Sequence, residues 1–359
     1  MFYRLSEIQT GYSIASDMTH IFDLTGKDPI SRLVLQPKIT NGVSYVALGH
    51  PDECISKIEL TDGSDVLFSL DAQSAKALAY YTQRDVPTSA LNYMALQWSF
   101  TPIEIYFGRF LHDAELALDP NKFNNLQLKV TTKIAGAMTG AAVGTLDIFA
   151  DVFDEKSIDP KGFLLSRDVV QKTPVASAIN YIELPTDLPL RILMTKQFSD
   201  TEAPEYNIAS MRLSEANDKR IIFDATMERL QAVLQSKYPL WQEKMYGGLT
   251  TTARNYWGTP AFEQGVCAVE AADIDSTIFT QSTGGQKRII LGEIAGAFEA
   301  LVYGKSPHGS LCYECGNLND INDWWDLPAA KSGTLRVTFT AGVDTAAIFW
   351  AVTQQYRPY

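Results

Sequence analysis

One stretch of the sequence occurs twice in similar form. Residues 55–72 read ISKIELTDGSDVLFSLDA and residues 208–225 read IASMRLSEANDKRIIFDA, and the two align without gaps. In both copies apolar residues alternate with polar ones, which is typical of a strand with one buried face. A turn rich in Gly, Asn or Asp and a second strand follow in each copy. The repeat predicts a unit of strand, turn and strand that the chain uses twice.

Each copy ends in an aspartate, Asp71 or Asp224. The runs that follow, AQSAKALAYYTQ and ATMERLQAVLQSK, are rich in helix-forming residues and end near Pro87 and Pro239. Aspartate is a favoured N-cap because its carboxylate accepts hydrogen bonds from free backbone N–H groups. We therefore expect both aspartates to cap helices rather than to form a catalytic pair.

A second pair of similar segments lies further along the chain. NNLQLKVTTKI at 124–134 resembles SGTLRVTFTAG at 332–342, and TLDIFADVF at 145–153 resembles TAAIFWAVT at 345–353. The second copy joins its two strands through the short turn GVDT. The Gly- and Ala-rich segment 134–144 is therefore expected to be a hairpin connection between strands.

A membrane helix over residues 134–153 is the alternative for this segment. Gly136, Gly140 and Gly144 would form a stripe of small residues on such a helix. Asp147 and Asp151 would then lie in hydrocarbon, at a cost of about 3 kcal/mol each. The loop is the favoured interpretation.

The repeats divide the chain into an N-terminal arm, two similar halves and a linker. We expect the arm at 1–28, the first half at 29–160, the linker at 161–175 and the second half at 176–359. The second half is longer because it contains aromatic-rich loops at about 240–330. Each half has several short strands between turn clusters, which predicts an all-β sandwich of about eight strands with short inserted helices.

Composition excludes several classes of protein. A formal net charge of −12 argues against sequence-independent binding to nucleic acid, which depends on Lys and Arg, and we expect no sequence-specific binding either. Four cysteines are too few for a disulfide framework in 359 residues. The first residues contain no unbroken apolar run of the secretory type. Synthesis in a reducing cytoplasm is the expectation.

The pair Cys312 and Cys315 forms a CxxC motif, with His308 four residues before it. A zinc site needs further ligands, and Cys267 is distant in sequence. A redox CxxC normally opens a helix after a strand, which this context does not predict. Ordinary loop cysteines are the favoured interpretation, and a metal site or a disulfide remains open.

Signatures of catalysis are missing from the sequence. STGGQKR at 282–288 includes Lys287 but lacks the spacing of a phosphate-binding loop, and a β-turn is favoured there. Neither GxSxG nor HExxH occurs. Glu293 and Glu299 are two of 42 acidic residues, so their proximity in sequence carries little weight. We predict no enzyme activity, no cofactor, and no catalytic, cofactor-binding or metal-binding residues.

The tandem architecture resembles that of the double jelly-roll major capsid proteins of tailless icosahedral viruses, which often contain an internal membrane. The resemblance covers most of residues 29–359 and rests on the repeated strand–turn–strand–helix unit, strands leading into YFGR or VYGK, and the terminal VTQQYRPY. It implies two tandem jelly-roll sandwiches and a pseudo-hexagonal homotrimer that tiles a shell around the genome.

The same resemblance implies a set of partners and a location. The partners would be neighbouring capsomers, penton and other minor capsid proteins, and an internal membrane reached through the N-terminal arm. The location would be the virion shell, after synthesis in the host cytoplasm. A spike or minor capsid protein of the same fold is an alternative within this class.

A carbohydrate-binding or glycan-processing protein is the alternative from another class. This alternative rests on the aromatic loops ARNYWG and WDLP, because aromatic rings stack on sugars. Trp324 and Trp325 lie in an Asn- and Asp-rich loop, where they could contact a glycan or another subunit. A local cluster that anchors the loop is the favoured interpretation of this pair.

Overall fold

The structure is a computed structural model of the chain. It describes residues 2–43, 48–137, 143–154, 158–249, 254–262, 265–271, 277–279, 284–290 and 296–359. The strands of the first part are β1 Tyr3–Ala15, β2 Thr19–Asp23, β3 Ile30–Lys38, β4 Ile55–Asp62, β5 Asp65–Leu70, β6 Ala90–Asn92, β7 Ile103–Tyr106, β8 Leu126–Thr132 and β9 Val143–Phe153.

The remaining strands are β10 Gly162–Lys172, β11 Ile179–Glu183, β12 Leu190–Gln197, β13 Ile208–Glu215, β14 Arg220–Thr226, β15 Trp241–Leu249, β16 Arg254–Trp257, β17 Pro260–Ala261, β18 Gly265–Ala271, β19 Thr277–Phe279, β20 Gln286–Ile290, β21 Gly296–Gly304, β22 Ser306–Pro307, β23 Ser310–Glu314, β24 Thr334–Phe339 and β25 Phe349–Pro358. The α-helices are α1 Ala72–Gln83, α2 Ile134–Ala137, α3 Pro204–Asn207, α4 Met227–Leu234 and α5 Leu327–Ala330. Short 3-10 helices occur at Pro51–Cys54, Pro120–Lys122, Gln235–Lys237 and Ile321–Asp323.

The first sandwich packs one four-stranded sheet on another. Their strand orders are β1-β9-β3-β7 and β2-β8-β4-β5. Except at the hairpin from β4 to β5, each successive sandwich strand lies in the opposite sheet, which is the connectivity of a jelly roll. Alternating residues point inward, so that Ile58 and Leu60 of β4 meet Leu33 and Leu35 of β3 in one core.

The second sandwich repeats this arrangement strand for strand. Its sheets have the orders β10-β25-β12-β23 and β11-β24-β13-β14. Met211 and Leu213 of β13 occupy its core together with Leu335 and Val337 of β24. The prediction of two tandem jelly-roll β-sandwiches with short inserted helices is therefore confirmed.

An insert lies between α4 and β23 of the second sandwich. Its strands β18, β21 and β15 form a sheet with β6, which comes from the first half of the chain. Eight buried residues give this sheet a small core of its own, which consists of Leu91, Tyr93, Met245, Tyr256, Trp257, Phe298, Ala300 and Val302. Both halves of the chain thus contribute to the insert.

The boundaries differ from those expected at two places. The expected arm at 1–28 contains β1 and β2, which pair with β9 and β8 inside the first sandwich. The expected linker at 161–175 contains β10, which pairs with β25 and is the first strand of the second sandwich. Strands β1 and β2 lie at sheet edges, and the burial of β10 does not alternate along the strand, so neither segment shows clear alternation in the sequence.

The prediction that Asp224 caps a helix is wrong, while Asp71 caps α1 as expected. Asp71 Oδ1 accepts a hydrogen bond from Ser74 N at 2.7 Å. The turn after β13 is two residues longer than the turn after β4, so Thr226 takes the place of Asp71. Asp224 instead lies within β14, near the guanidinium groups of Arg212 and Arg336.

Two further expectations are corrected. Residues 134–144 do not form a hairpin connection, because β8 and β9 lie in different sheets; α2 begins the connection, and residues 138–142 lie outside the described residues. The strand leading into VYGK is β21 of the insert, so the counterpart of β7 is β23.

Replacement of Asp71 by alanine should destabilise the protein by about 3 kcal/mol, because it removes a helix cap and leaves the buried ammonium of Lys196 without its carboxylate. Asp224→Ala is the matched control and should cost less than about 1 kcal/mol, because its carboxylate is part of a solvent-exposed cluster. Urea unfolding of both variants tests this prediction. Equal destabilisation by the two substitutions would contradict it.

Candidate functional site at the joint between the sandwiches

The two sandwiches share a single sheet of eight strands. Its order is β2-β8-β4-β5-β10-β25-β12-β23, so β5, at the end of one four-stranded sheet of the first sandwich, lies beside β10, the first strand of the second sandwich. The contact between β5 and β10 is parallel and short, with Phe68 opposite Ser166 and Ser69 opposite Arg167. Further backbone hydrogen bonds join β10 to the segment after β7, from Leu164 N to Phe107 O at 2.9 Å and from Ala117 N to Gly162 O at 3.1 Å, and side chains complete the joint.

Helix α1 fills the joint. Every residue from Ala72 to Thr82 is buried, although a helix on a protein surface normally keeps one face exposed. The second sandwich covers the other face with side chains that join the core of the first, namely Phe163, Leu165, Ile192, Met194, Cys312 and Val352. The Tyr81 hydroxyl also donates to Ser310 O at 3.1 Å. Apolar burial over this area is the main stabilising contribution.

A buried group of charged and polar side chains lies where α1, the 3-10 helix Pro51–Cys54 and the insert meet. Lys76 of α1 donates to Asp52 Oδ2 at 2.7 Å, and both side chains are fully buried. His50 Nε2 lies 3.5 Å from Glu243 Oε1 of β15. His308 Nε2 lies 3.6 Å from Asp52 Oδ2. These five residues, called here the buried polar cluster, connect the first sandwich to the insert.

Electrostatics within the buried polar cluster favour opposite charges on His50 and Glu243. Burial would raise the pKa of Glu243, but the facing His50, Lys76 and the Thr259 N–H group lower it to about 2. Burial would lower the pKa of His50, and the carboxylates of Glu243 and Asp52 raise it above its ordinary value. Burial, then the charges of His50, Lys76 and Lys196, lower the pKa of His308 well below its ordinary value.

A buried arginine holds the loop after β23 against the shared sheet. Arg191 of β12 donates through Nε to Leu318 O at 3.1 Å, and its Nη1 also donates to Gln354 Oε1. Its guanidinium lies 5.8 Å from the ring centroid of Trp324. Burial lowers the pKa of Arg191 to about 10. The loop is thus anchored by specific contacts and not only by its ends.

The two CxxC cysteines are buried and unbridged. Cys312 lies in β23 and faces the joint, while Cys315 belongs to the core of the second sandwich. Burial raises the pKa of the Cys312 thiol to about 12, which disfavours the thiolate that a metal or a redox reaction requires. His308 belongs to the buried polar cluster instead, and the side chain of Cys267 lies outside the described ones. In the part of the chain that the structure describes, no group of three potential ligands could hold a metal.

Most of the aromatic residues that suggested glycan binding are buried, and Trp325 is half-buried. Trp324 is only 4% exposed and donates through Nε1 to Asn317 O at 2.9 Å. Trp325 donates to Glu215 Oε2 at 2.9 Å. Trp257 of ARNYWG belongs to the core of the insert. The observed roles of these rings are packing and anchoring of loops.

The remaining candidates are not brought together. Lys287 lies in β20, of which only the backbone is described, and Glu293 lies outside the described residues. Glu299 forms an ion pair with Lys244 on the surface of the insert. Among the described helices, none is long and apolar enough to cross a membrane.

The sequence did not reveal the buried polar cluster. His50, Asp52 and Lys76 come from a loop and a helix of the first half, and their partners Glu243 and His308 lie far away in the insert. No spacing in the chain links residues so far apart. The only available signal was Lys76, which is the one charged residue of the helical run AQSAKALAYYTQ.

Eight strands per sandwich, in the same order in both sheets, define a protein of two sequential jelly rolls. No protein-family model and no curated protein sequence matches the chain. Solved structures do match it over its full length.

The crystal structure of the STIV major capsid protein, from the Sulfolobus turreted icosahedral virus, aligns with 99% of this chain and 96% of its own, with a TM-score of 0.61 and 13% identity. The major capsid protein P2 of bacteriophage PM2 aligns over 99% and 98% of the two chains, with a TM-score of 0.56 and 10% identity. The protein VP54 of PBCV-1 aligns over 99% and 93%, with a TM-score of 0.52 and 12% identity. The chain therefore has the double jelly-roll fold of viral major capsid proteins.

Replacement of Glu243 by glutamine should destabilise the protein by about 3 kcal/mol, because His50 would keep its charge in a buried site without the facing carboxylate. Glu299→Gln on the neighbouring strand is the matched control, and its exposed ion pair should make no measurable difference. Thermal and urea unfolding at pH 7 measure both effects. Similar stability of the two variants would contradict the role assigned to the buried polar cluster.

The buried His308 should make stability depend on pH. Because its pKa is lowered in the folded state, the stability that neutral His308 provides is present above about pH 6.5 and is lost as the pH falls. Glu53 acts in the opposite sense, since burial raises its pKa to about 7 and its protonation favours folding. Comparison of the wild type with the variant His308→Gln isolates the effect of the histidine, because Glu53 is present in both. The melting temperature of the wild type should decrease relative to that of the variant between pH 7 and pH 5, and a constant difference would contradict this.

Proposed function

We propose that the protein is a viral major capsid protein that assembles as a homotrimer and tiles an icosahedral shell around the genome. The full-length match to major capsid proteins carries this proposal, because nearly all of each matched chain is covered, including both sandwiches and the region of the insert. A match to one sandwich alone would have favoured many other proteins with a jelly-roll fold.

The architecture of the joint gives a physical reason for a trimer. Two similar sandwiches stand side by side in each chain and share one sheet. Three chains around a three-fold axis would place six similar sandwiches in a ring, and homo-oligomers with closed symmetry are the common outcome of such contacts. A ring of this kind has a pseudo-hexagonal outline, which can tile a surface.

The proposed partners are other copies of the chain, penton proteins and other minor capsid proteins. The location is the virion shell, after synthesis in the host cytoplasm. The net charge of −12 would keep free subunits soluble until specific contacts assemble them. Contact with an internal membrane through an arm at 1–28 is not part of the proposal, because those residues contain two strands of the first sandwich.

The role proposed is structural rather than enzymatic. The buried charges described above join parts of the chain, and acidic residues such as Glu104 and Asp151 are engaged in ion pairs with Arg32. The glycan-binding alternative is weakened, since Trp324 and Trp257 are buried and the half-buried Trp325 donates its N–H to Glu215. A spike or minor capsid protein of the same fold differs from this proposal in copy number per particle.

The purified protein should have three times the chain mass of 39.8 kDa in solution. Native mass spectrometry or light scattering gives the mass, and electron microscopy of the same sample should show particles with a six-lobed outline. A monomer at all concentrations and salt conditions would contradict the proposal. Purified virions with only a few copies of the chain would favour the spike or minor protein.

A further inference from the structure

The ion pair between Lys76 and Asp52 in the buried polar cluster is completely shielded from solvent. Both side chains are fully buried, and Lys76 Nζ donates to Asp52 Oδ2 at 2.7 Å. Every other pair of a lysine or arginine with a carboxylate in the described part of the chain keeps some solvent contact, including the nearby pair of Lys196 with Asp71. Burial of two opposite charges is costly, because the loss of hydration can exceed the gain from their attraction.

The hydrogen-bonding capacity of this pair is only partly used. The ammonium group of Lys76 has three N–H donors, and Asp52 Oδ2 is its single acceptor among the described residues. Asp52 Oδ1 is buried and has no hydrogen-bond partner among them. Unpaired polar groups in a protein interior cost free energy. A neutral amide, which has only one N–H donor and one oxygen, would leave fewer groups unpaired than this ion pair does.

Two helical elements hold the reacting groups together. Lys76 lies within α1, and Asp52 lies in the 3-10 helix Pro51–Cys54, where its backbone N–H group donates to His50 Nδ1 at 3.1 Å. Because Oδ2 is bonded to Cγ, the carbonyl carbon of Asp52 is one bond beyond the 2.7 Å contact of Nζ. Fixed proximity of this kind gives a nucleophile a very high effective concentration at its target. Lys76 is therefore placed to attack Asp52.

We propose that Lys76 and Asp52 condense to an intramolecular isopeptide bond between Nζ and Cγ in the folded chain. The ammonium first transfers one proton to the carboxylate, so that both groups become neutral. The amine then attacks Cγ, and a second proton moves from the nitrogen to the leaving oxygen. The new C–N bond replaces one C–O bond, and one water molecule is released. The reaction needs no oxidant and no second substrate, and it removes both buried charges.

The surroundings of the pair suit this reaction. His308 Nε2 lies 3.6 Å from Asp52 Oδ2 and has no hydrogen-bond partner in the described part of the chain, so it can pass a proton between the amine and the leaving oxygen. Asp52 also lines a cleft of about 520 Å³ between the two sandwiches, through which the released water can leave. The full burial of both side chains limits the return of water for hydrolysis.

The bond ties α1 covalently to the 3-10 helix Pro51–Cys54 and closes a loop over residues 52–76. A cross-link of this kind stabilises the folded state, because it restricts the conformations of the unfolded chain. Both residues belong to one copy of the chain, so the inference does not depend on the proposed assembly.

Tryptic peptide mapping of the purified protein tests the inference directly. Without the bond, trypsin releases residues 39–57, 58–76 and 77–84 as separate peptides. With it, trypsin cannot cleave after the acylated Lys76, and residues 39–57 stay attached to residues 58–84 in one branched peptide. We expect this branched peptide, lighter by one water than its two parts, and an intact chain that is also lighter by one water. Tandem mass spectrometry should locate the branch at Asp52 and Lys76.

Two variants and one internal control accompany the peptide map. Lys76→Met should give a chain with the full mass of its sequence and no branched peptide. His308→Gln should leave a larger unlinked fraction at the same time after synthesis, because proton transfer to the leaving oxygen is slower. Lys57 and Glu59 form an ion pair of 2.8 Å that is partly exposed, so trypsin should cleave after Lys57 in every sample. The map of the wild type serves even if a variant proves unfolded.

The outcomes are distinct. Separate peptides 39–57, 58–76 and 77–84 from a chain of full mass would overturn the inference. A water loss confined to peptide 58–76 would indicate a succinimide between Asp62 and Gly63, and it would overturn the inference as well. A branched peptide in the wild type that is absent from Lys76→Met would support the bond. Equal yields of the branched peptide from the wild type and His308→Gln would overturn the role of His308.

Discussion

The burial of α1 between the two sandwiches is the constraint on which the rest of the structure depends. Only two residue pairs connect β5 to β10, so the shared sheet alone is a narrow connection. The helix adds an apolar surface on both of its sides, and Asp71 at its N-terminus forms an ion pair with Lys196 of the second sandwich. Helix α1 packs against both sandwiches, and its N-cap Asp71 is paired with the second. The two sandwiches therefore form a single unit and not two independent domains.

The position of the insert also depends on contacts with the first sandwich near α1. Its strand β15 begins at Trp241 and carries Glu243, which faces His50 of the first sandwich, and β6 of the first half pairs with it. A buried group of charges is costly unless each member has a partner, so this contact specifies one position for the insert more than it adds stability. Apolar packing around α1 thus joins the two sandwiches, whereas the buried polar cluster fixes the position of the insert.

Much of the fold could be predicted from the sequence because strand alternation is a local property. Ile58 and Leu60 point inward in one copy, as Met211 and Leu213 do in the other, and this was enough to indicate two similar sandwiches. Errors arose where a turn changed length: two extra residues after β13 moved Asp224 into a strand and left Thr226 at the start of α4. The first strand of each sandwich was also missed, since β1 is largely exposed and β10 follows a proline-containing segment that reads as a linker.

The joint itself could not be predicted, because it consists of residues distant in the chain whose meeting depends on the completed sheets. Hydrogen exchange of α1 and α4 tests the central claim most directly. The structure predicts that the amides of the fully buried α1 are as protected as those of the most stable strands, whereas the amides of the partly exposed α4 exchange faster. Equal protection of the two helices would contradict it.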